Sequence, residues 1–423
     1  MHLNPLRNIR GVLWCTASLL LSNCVGTGDP GAKTSEESVG TFEHEQDMTT
    51  FGNQLEFLRR HVDVILLERG PAQVAIVPSW QGRVMTSTSS GPGGPGMGWI
   101  NTELINSGEV LPHMNPYGGE DRIWLGPEGG QYSIFFPPGA PFVFDHWQVP
   151  AFLDTEAFDV VRSDAEEACF HRRVRFENYS GTQFDVDIDR CVRLLRPEEA
   201  VEAAGISWEG LQAVAFESVN RITNRGSEAW TADKGLLSIW ILGMFPPSPR
   251  TTVIIPYRLP PGAPDKPRVN DRYFGKVPED RLIVGPSCLF FRADGGYRSK
   301  IGLGWEYATP VIGSWDAERE VLTVVEYTLP DTPKPYVNSM WELQEDPYAG
   351  DVINAYNDGS PAPGQPPLGP FYELETSSPA AQLAPGESLE HRHRTFHAAG
   401  NRKDLEELVR QLLGVELREA PWQ

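Results

Sequence analysis

Basic runs are missing from this chain. Its 423 residues hold 36 Lys and Arg against 57 Asp and Glu, a formal charge of −21, and the acids are spread along the sequence. Such a surface repels phosphate backbones, which excludes nucleic acid as a partner. Chemical signatures are missing too. There is no phosphate-cradling glycine loop with its Lys, no dinucleotide fingerprint, no zinc-ligand spacing and no G-x-S-x-G elbow. No cofactor and no metal are called for on these grounds. Cysteines number five and histidines nine, and no histidine lies between residues 172 and 390. No internal repeat of 20–50 residues is evident, and no shift in composition marks a boundary. The apolar run over 12–21 is too short to cross a membrane.

That short run does read as part of an export signal. Arg7 and Arg10 give a positive start with no acid nearby, and Leu21-Ser22-Asn23-Cys24 is similar to a bacterial lipobox. Residues 1–24 are expected to be a lipoprotein-type signal peptide, with Cys24 lipidated and anchoring the mature chain to a membrane of the cell envelope. Asn23 departs from the small residue expected before that Cys, so an ordinary secretory signal cleaved nearby is the alternative. Residues 25–47, rich in Gly, Ser, Thr and Glu, read as a flexible tether. Cys169 and Cys191 flank a segment centred on the turn-like Asn178-Tyr179-Ser180-Gly181. A hairpin folded there sets the two opposite each other, as a cross-strand disulfide or as two buried thiols.

The rest of the chain is written mostly in strands. Short apolar or alternating runs bounded by Asn, Gly, Asp and Ser turns occupy 62–67, 73–77, 81–85, 142–147, 158–162, 168–176, 184–195, 213–223, 236–245 and 252–258. More follow at 281–284, 288–293, 300–303, 306–308, 321–328, 371–375 and 388–397. Helical spacing is confined to 49–61, where Phe51, Leu55, Phe57 and Leu58 share a face behind Thr50, and to 401–413, with Leu405, Leu408, Leu412 and Leu413. Residues 197–205 suit a helical turn or two. The pattern predicts a mainly β protein, one sandwich domain over 48–418 with a short helix near each end.

Two stretches carry chemistry. Residues 113–136 place His113, Glu120, Asp121, Arg122, Trp124 and Glu128 among glycines and prolines, then end in an apolar strand. Carboxylates and a guanidinium grip hydroxyls, and an indole face lies under a sugar ring, so the mixture suits a polyhydroxylated ligand. The plainer alternative is a turn held by Arg122 and its neighbouring acids. The second stretch is the long polar and aromatic insertion over 335–361, with Asn338, Trp341, Glu342, Tyr348, Asp351, Asn354 and Tyr356. Long loops in compact domains are more often functional than accidental. Lys300 and Trp305 are plausible contributors. Asp351, Asn354, Asn357 and Asp358 also form an oxygen-rich set that could suit calcium, without EF-hand spacing.

Residues 371–400 bring in a family. Leu374-Glu375-Thr376, Pro379, then Leu383-Ala384-Pro385-Gly386-Glu387 and a last strand bearing His391 and His393 resemble the C-terminal end of the galactose mutarotase (aldose 1-epimerase) superfamily. The resemblance implies a galactose-mutarotase-like β-supersandwich with a shallow sugar-binding face and Glu375 as general base. It also implies a histidine acid on an earlier strand, and here the chain departs: the loosely matching Asn338-Ser339-Met340-Trp341 has Met where His is expected. His113, Glu120 and Asp121 become the expected catalytic partners of Glu375. Arg122, Trp124, Glu128, Lys300, Trp305, Asn338, Trp341, Glu342, Asn354 and His393 form the expected sugar-binding set. His391, His393 and His397 share one strand face, on an exposed edge strand or around a metal. The resulting expectation is an exported carbohydrate-binding protein acting on a sugar anomeric centre, the alternative being a non-catalytic glycan-binding or structural envelope lipoprotein.

Overall fold

In the computed structural model, which describes residues 48–196, 199 and 210–422, strands dominate and every strand pair is antiparallel. The signal peptide, Cys24, the tether and most of 197–205 lie outside the described residues. Six strands form one sheet, in the order Val269–Asn270, Ser299–Leu303, Ile353–Asn357, Tyr372–Ser377, Ser238–Phe245 and Arg122–Gly126. Ten form the facing sheet, from Leu282–Val284 at one edge through Val321–Tyr327, Ser388–Gly400, Leu211–Asn224 and Gln183–Leu195 to Asp159–Ser163 at the other. A three-stranded sheet, Ile65–Arg69, Ala72–Val77 and Arg83–Thr88, completes the fold. Among the described residues no helix is long and apolar enough to cross a membrane.

Both terminal helices form for the reasons their sequences give. The Thr50 side chain accepts from Asn53 N and caps Phe51–His61, which buries Phe51, Leu55, Phe57 and Leu58. Asn401 caps Arg402–Leu413, and Gly414, at φ 70°, ends it in the left-handed conformation. That helix lays Leu405, Leu408, Val409 and Leu413 on Phe396, Ala398, Trp315 and Leu322 of the ten-stranded sheet. Cys169 and Cys191 stand directly opposite in the 167–177 and 183–195 hairpin and are joined by a disulfide, Cα to Cα 4.0 Å.

Several expectations are corrected. The strand of the 113–136 stretch is Arg122–Gly126, while 131–136 folds as turns whose Ser133, Phe135 and Phe136 are buried. Residues 142–147 hold a 3-10 turn, Phe144–His146, and 306–308 form only an isolated bridge. The insertion is not all loop: Ile353–Asn357 is an interior strand of the six-stranded sheet. Its alternation is visible, Ile353 and Ala355 on the apolar side and Asn354 and Tyr356 on the other, but two Asn in five residues mimic a turn. Val311–Asp316 went unpredicted for the same reason, a Gly and a Ser within the strand.

The histidine strand is the largest correction. Ser388–Gly400 is no edge; it is paired on both sides and runs through the middle of the ten-stranded sheet. His391, His393 and His397 are buried and point into the sandwich. Thr376 Oγ1 lies 2.9 Å from both His391 Nε2 and His393 Nδ1, and His397 is 2.9 Å from Thr323 Oγ1 and 2.8 Å from Glu120 Oε2. Burial pushes His391 down to about 3 and His393 to about 4, so both are neutral imidazoles sharing the Thr376 hydroxyl.

Candidate functional site

Strand alternation decides which residues meet on the outer face of the six-stranded sheet. Leu374 and Thr376 point into the sandwich, so Glu373, Glu375 and Ser377 point out. Register sets Asn354 and Leu242 beside Glu375, Tyr356 and Met244 beside Glu373, and Lys300 beyond Tyr356. Trp240 pairs with Trp124, and Leu242 with Arg122. A recess opens on this face, lined by Gly126, Ser238, Trp240, Tyr273, Lys300, Val337, Ser339, Asp351, Asn354 and Ser377. It measures about 310 Å³ with the space open to solvent, and is narrow.

Glu375 is fully buried and does not itself line the recess; its neighbours Trp240, Lys300 and Asn354 do. Its Oε2 accepts from Lys300 Nζ at 2.8 Å and Trp240 Nε1 at 2.9 Å, while Oε1 has no hydrogen-bond partner. The Ser238 hydroxyl in the lining is likewise buried and unpartnered. Arg122 Nη2 donates to Glu373 Oε1 at 3.0 Å and stacks 4.3 Å over the Trp124 ring. Across the recess Asp351 Oδ2 accepts from the Tyr273 hydroxyl at 2.6 Å and Asn270 Nδ2 at 2.9 Å. Gly302 makes room for it: a Cβ there would lie 2.0 Å from Asp351 Oδ2. Residues 338–344 close the opposite rim, with Ser339 Oγ accepting from Glu128 N at 3.2 Å.

The electrostatics separate the acids. Burial, with Glu375 nearby, pushes Glu128 up to about 7, opposed by Lys300 and a hydrogen bond from Trp341. Burial raises Glu373 above the ordinary carboxyl value, opposed by Arg122 and reinforced by Glu375. Burial also raises Asp351 against its bonds from Tyr273 and Asn270. Desolvation opposes the charge on Lys300, but Glu375 and Glu128 outweigh it and hold the ammonium above its ordinary value. Glu128 therefore holds a proton that an ordinary carboxyl, at 4.5, has lost. Stability is expected to fall as pH rises from 4.5 to about 7, because over that window the folded chain binds more protons than the unfolded one. Glu128→Gln removes this slope. Its thermal midpoint relative to wild type should rise across the same window, and a flat difference would contradict the buried-carboxyl account.

Of the residues expected from sequence, Lys300 and Asn354 line the recess, Glu375 accepts from Lys300, and Glu128 N donates to Ser339 on the rim; Arg122 and Trp124 lie along the same sheet, and Asn338 and Trp341 belong to the covering loop. Others from the sequence reading lie elsewhere. Glu120 accepts from Ser87 Oγ at 2.9 Å and meets His397, inside the sandwich and on the wrong face for Glu375. Asp121 pairs with Arg190 at 2.7 Å, both fully buried. His393 faces Thr376 rather than Glu375. His113 sits 2.6 Å from the Trp147 carbonyl against the Phe144 ring and does not line the recess. Trp305 donates to the Pro330 carbonyl and stacks under Arg258, and Glu342 is exposed. Trp240, Tyr273, Asn270, Ser238 and Glu373 were missed. Glu373 had a signal, two residues before Glu375 on the same strand face; Trp240 was hidden in an apolar run.

The chain belongs to the family of unknown function DUF6786, matched over residues 49–421. No curated protein matches it. Among solved structures it is similar to a galactose mutarotase-like protein from Lactobacillus casei ATCC 334, at 11% identity over 79% of this chain and 100% of that one, TM-score 0.46. It is also similar to a galactose mutarotase related enzyme from Lactobacillus acidophilus, at 10% identity over 80% and 99% of the two chains, TM-score 0.46. A protein of Synechocystis sp. PCC 6803 shows 13% identity over 80% and 96%, TM-score 0.47.

Proposed function

We propose that this protein binds carbohydrate at the recess of the six-stranded sheet once residues 338–344 lift to make room, and acts at a sugar's anomeric centre with Glu375 as base. The observation that carries this reading is the one-sided tethering of Glu375. Lys300 and Trp240 hold Oε2, and Oε1 is left buried with no partner beside a recess lined by Trp, Tyr, Asn, Ser and Asp. A hydroxyl donating to Oε1 completes the carboxylate's hydrogen bonding, and a proton taken from the anomeric hydroxyl has somewhere to go. Glu128, pushed up to about 7, supplies the opposite partner, a carboxylic acid able to protonate the ring oxygen at neutral pH. The acids thus stand in for the absent histidine.

A non-catalytic glycan-binding role is the second reading, favoured by the lack of any histidine among the described residues lining the recess. Export and a lipid anchor at Cys24 belong to the proposal as well, supported by the signal-like sequence of 1–24. A thermal-shift screen with neutral and acidic sugars tests binding, and NMR saturation transfer between α and β anomers tests catalysis. Stabilisation by at least one sugar is expected, with exchange above the uncatalysed rate. No stabilisation by any sugar overturns both readings, and stabilisation without exchange leaves the binding one.

A further inference from the structure

Beyond the recess, the same face carries a cation and an aromatic ring that the site does not use. Arg298 directly precedes the strand Ser299–Leu303, two residues before Lys300. Its guanidinium lies 4.1 Å over the Phe274 ring, which is 44% exposed and meets the Tyr356 ring edge-on at 5.7 Å. Phe274 directly follows Tyr273, whose hydroxyl binds Asp351 and accepts from Asn354 Nδ2 at 3.1 Å in the recess. Ring and recess are therefore neighbours on one path.

Arg298 favours the charged forms of Glu128 and Asp358 from a distance but is paired with neither. Lys300 has Glu375, Arg122 has Glu373 and Arg281 has Asp294. Among the described residues no carboxylate forms an ion pair with Arg298, and its buried Nε has no hydrogen-bond partner. Asp358, whose charge it favours, is already occupied: Oδ1 accepts from the Tyr356 hydroxyl at 2.6 Å and Oδ2 from Gly369 N at 2.9 Å. A guanidinium seated 4.1 Å over a ring and engaged in no ion pair is matched by a carboxylate, and the exposed Phe face suits the C–H side of a pyranose.

We infer that Phe274 and Arg298 form a second subsite for a carboxylate-bearing sugar unit, so that the ligand is an oligosaccharide containing a uronic acid. This rests on the sugar reading of the recess. The test measures the affinity of the full chain for digalacturonate, for the neutral disaccharide lactose and for galacturonate alone, in low salt. Wild type is expected to prefer digalacturonate over both. Arg298→Gln should weaken digalacturonate by about tenfold, the scale of one charge-assisted contact, and leave lactose unchanged. Arg298→Lys, which keeps the charge without the fork, should recover only part of the loss. Phe274→Ala should weaken digalacturonate and spare the monosaccharide. Equal binding of the two disaccharides, or a preference that survives Arg298→Gln, overturns the subsite while the recess stands. If no saccharide binds, the recess reading falls with it.

Discussion

Replacing Arg190 with alanine is expected to cost about 3–5 kcal/mol of folding stability, the usual penalty for stranding one partner of a buried ion pair. Arg190 and Asp121 are both 0% exposed, Nη2 to Oδ1 2.7 Å. The same guanidinium donates to the Gly82 carbonyl at 3.1 Å, the Asn220 side chain at 2.6 Å and the Asp121 carbonyl at 3.2 Å. It thereby ties the three-stranded sheet, the approach to Arg122–Gly126 and the ten-stranded sheet to one centre. Truncation leaves a buried carboxylate and two buried carbonyl-type acceptors without donors. Equilibrium urea unfolding reads the loss, and a change under 1 kcal/mol would remove Arg190 from this role. Pairing Arg190→Met with Asp121→Leu should recover much of it, since the cost lies in the unpaired charge. Sugar binding in the double variant should persist, because neither residue reaches the recess.

Glu375→Gln is expected to have the largest functional effect, a loss of anomer exchange on the order of 10²–10⁴-fold, the range for removing a positioned general base. The amide keeps the volume and can still accept from Lys300 or Trp240, so the fold should survive with a modest loss from the now unpaired ammonium. NMR exchange rates at saturating sugar measure the effect. A rate equal to wild type would mean that Glu375 holds Lys300 and nothing more. Lys300→Met offers a companion reading: it frees Glu375 to rotate, and a smaller loss than Glu375→Gln separates positioning from proton transfer.

Much of the fold was legible because alternation and capping are local. Thr50 and Asn401 cap the two helices, and the turn at Asn178–Gly181 folds the hairpin that brings Cys169 to Cys191. Glu375 was legible through its Leu-Glu-Thr setting, Lys300 and Asn354 through residue type. What sequence could not supply was sidedness. Glu120, Asp121 and His393 have the right chemistry, but only the pairing of Ser388–Gly400 between two strands turns that face inward, toward Thr376 and Glu120. Tyr273 and Asn270 reach Asp351 from 78 and 81 residues away, a separation that no local pattern encodes.

The loop over the recess carries a consequence in time rather than energy. Tyr336 and Asn338 N bond the carbonyls of Tyr348 and Pro347 and close its base. At its tip Gln344 and Gln131 exchange two hydrogen bonds, 2.9 and 3.0 Å, while a Cβ on Gly129 would lie 2.3 Å from the Met340 carbonyl. On the sugar reading proposed above, a cover seated this closely is expected to make capture wait for the latch to lift, so that association saturates with ligand concentration and release shares the same gate.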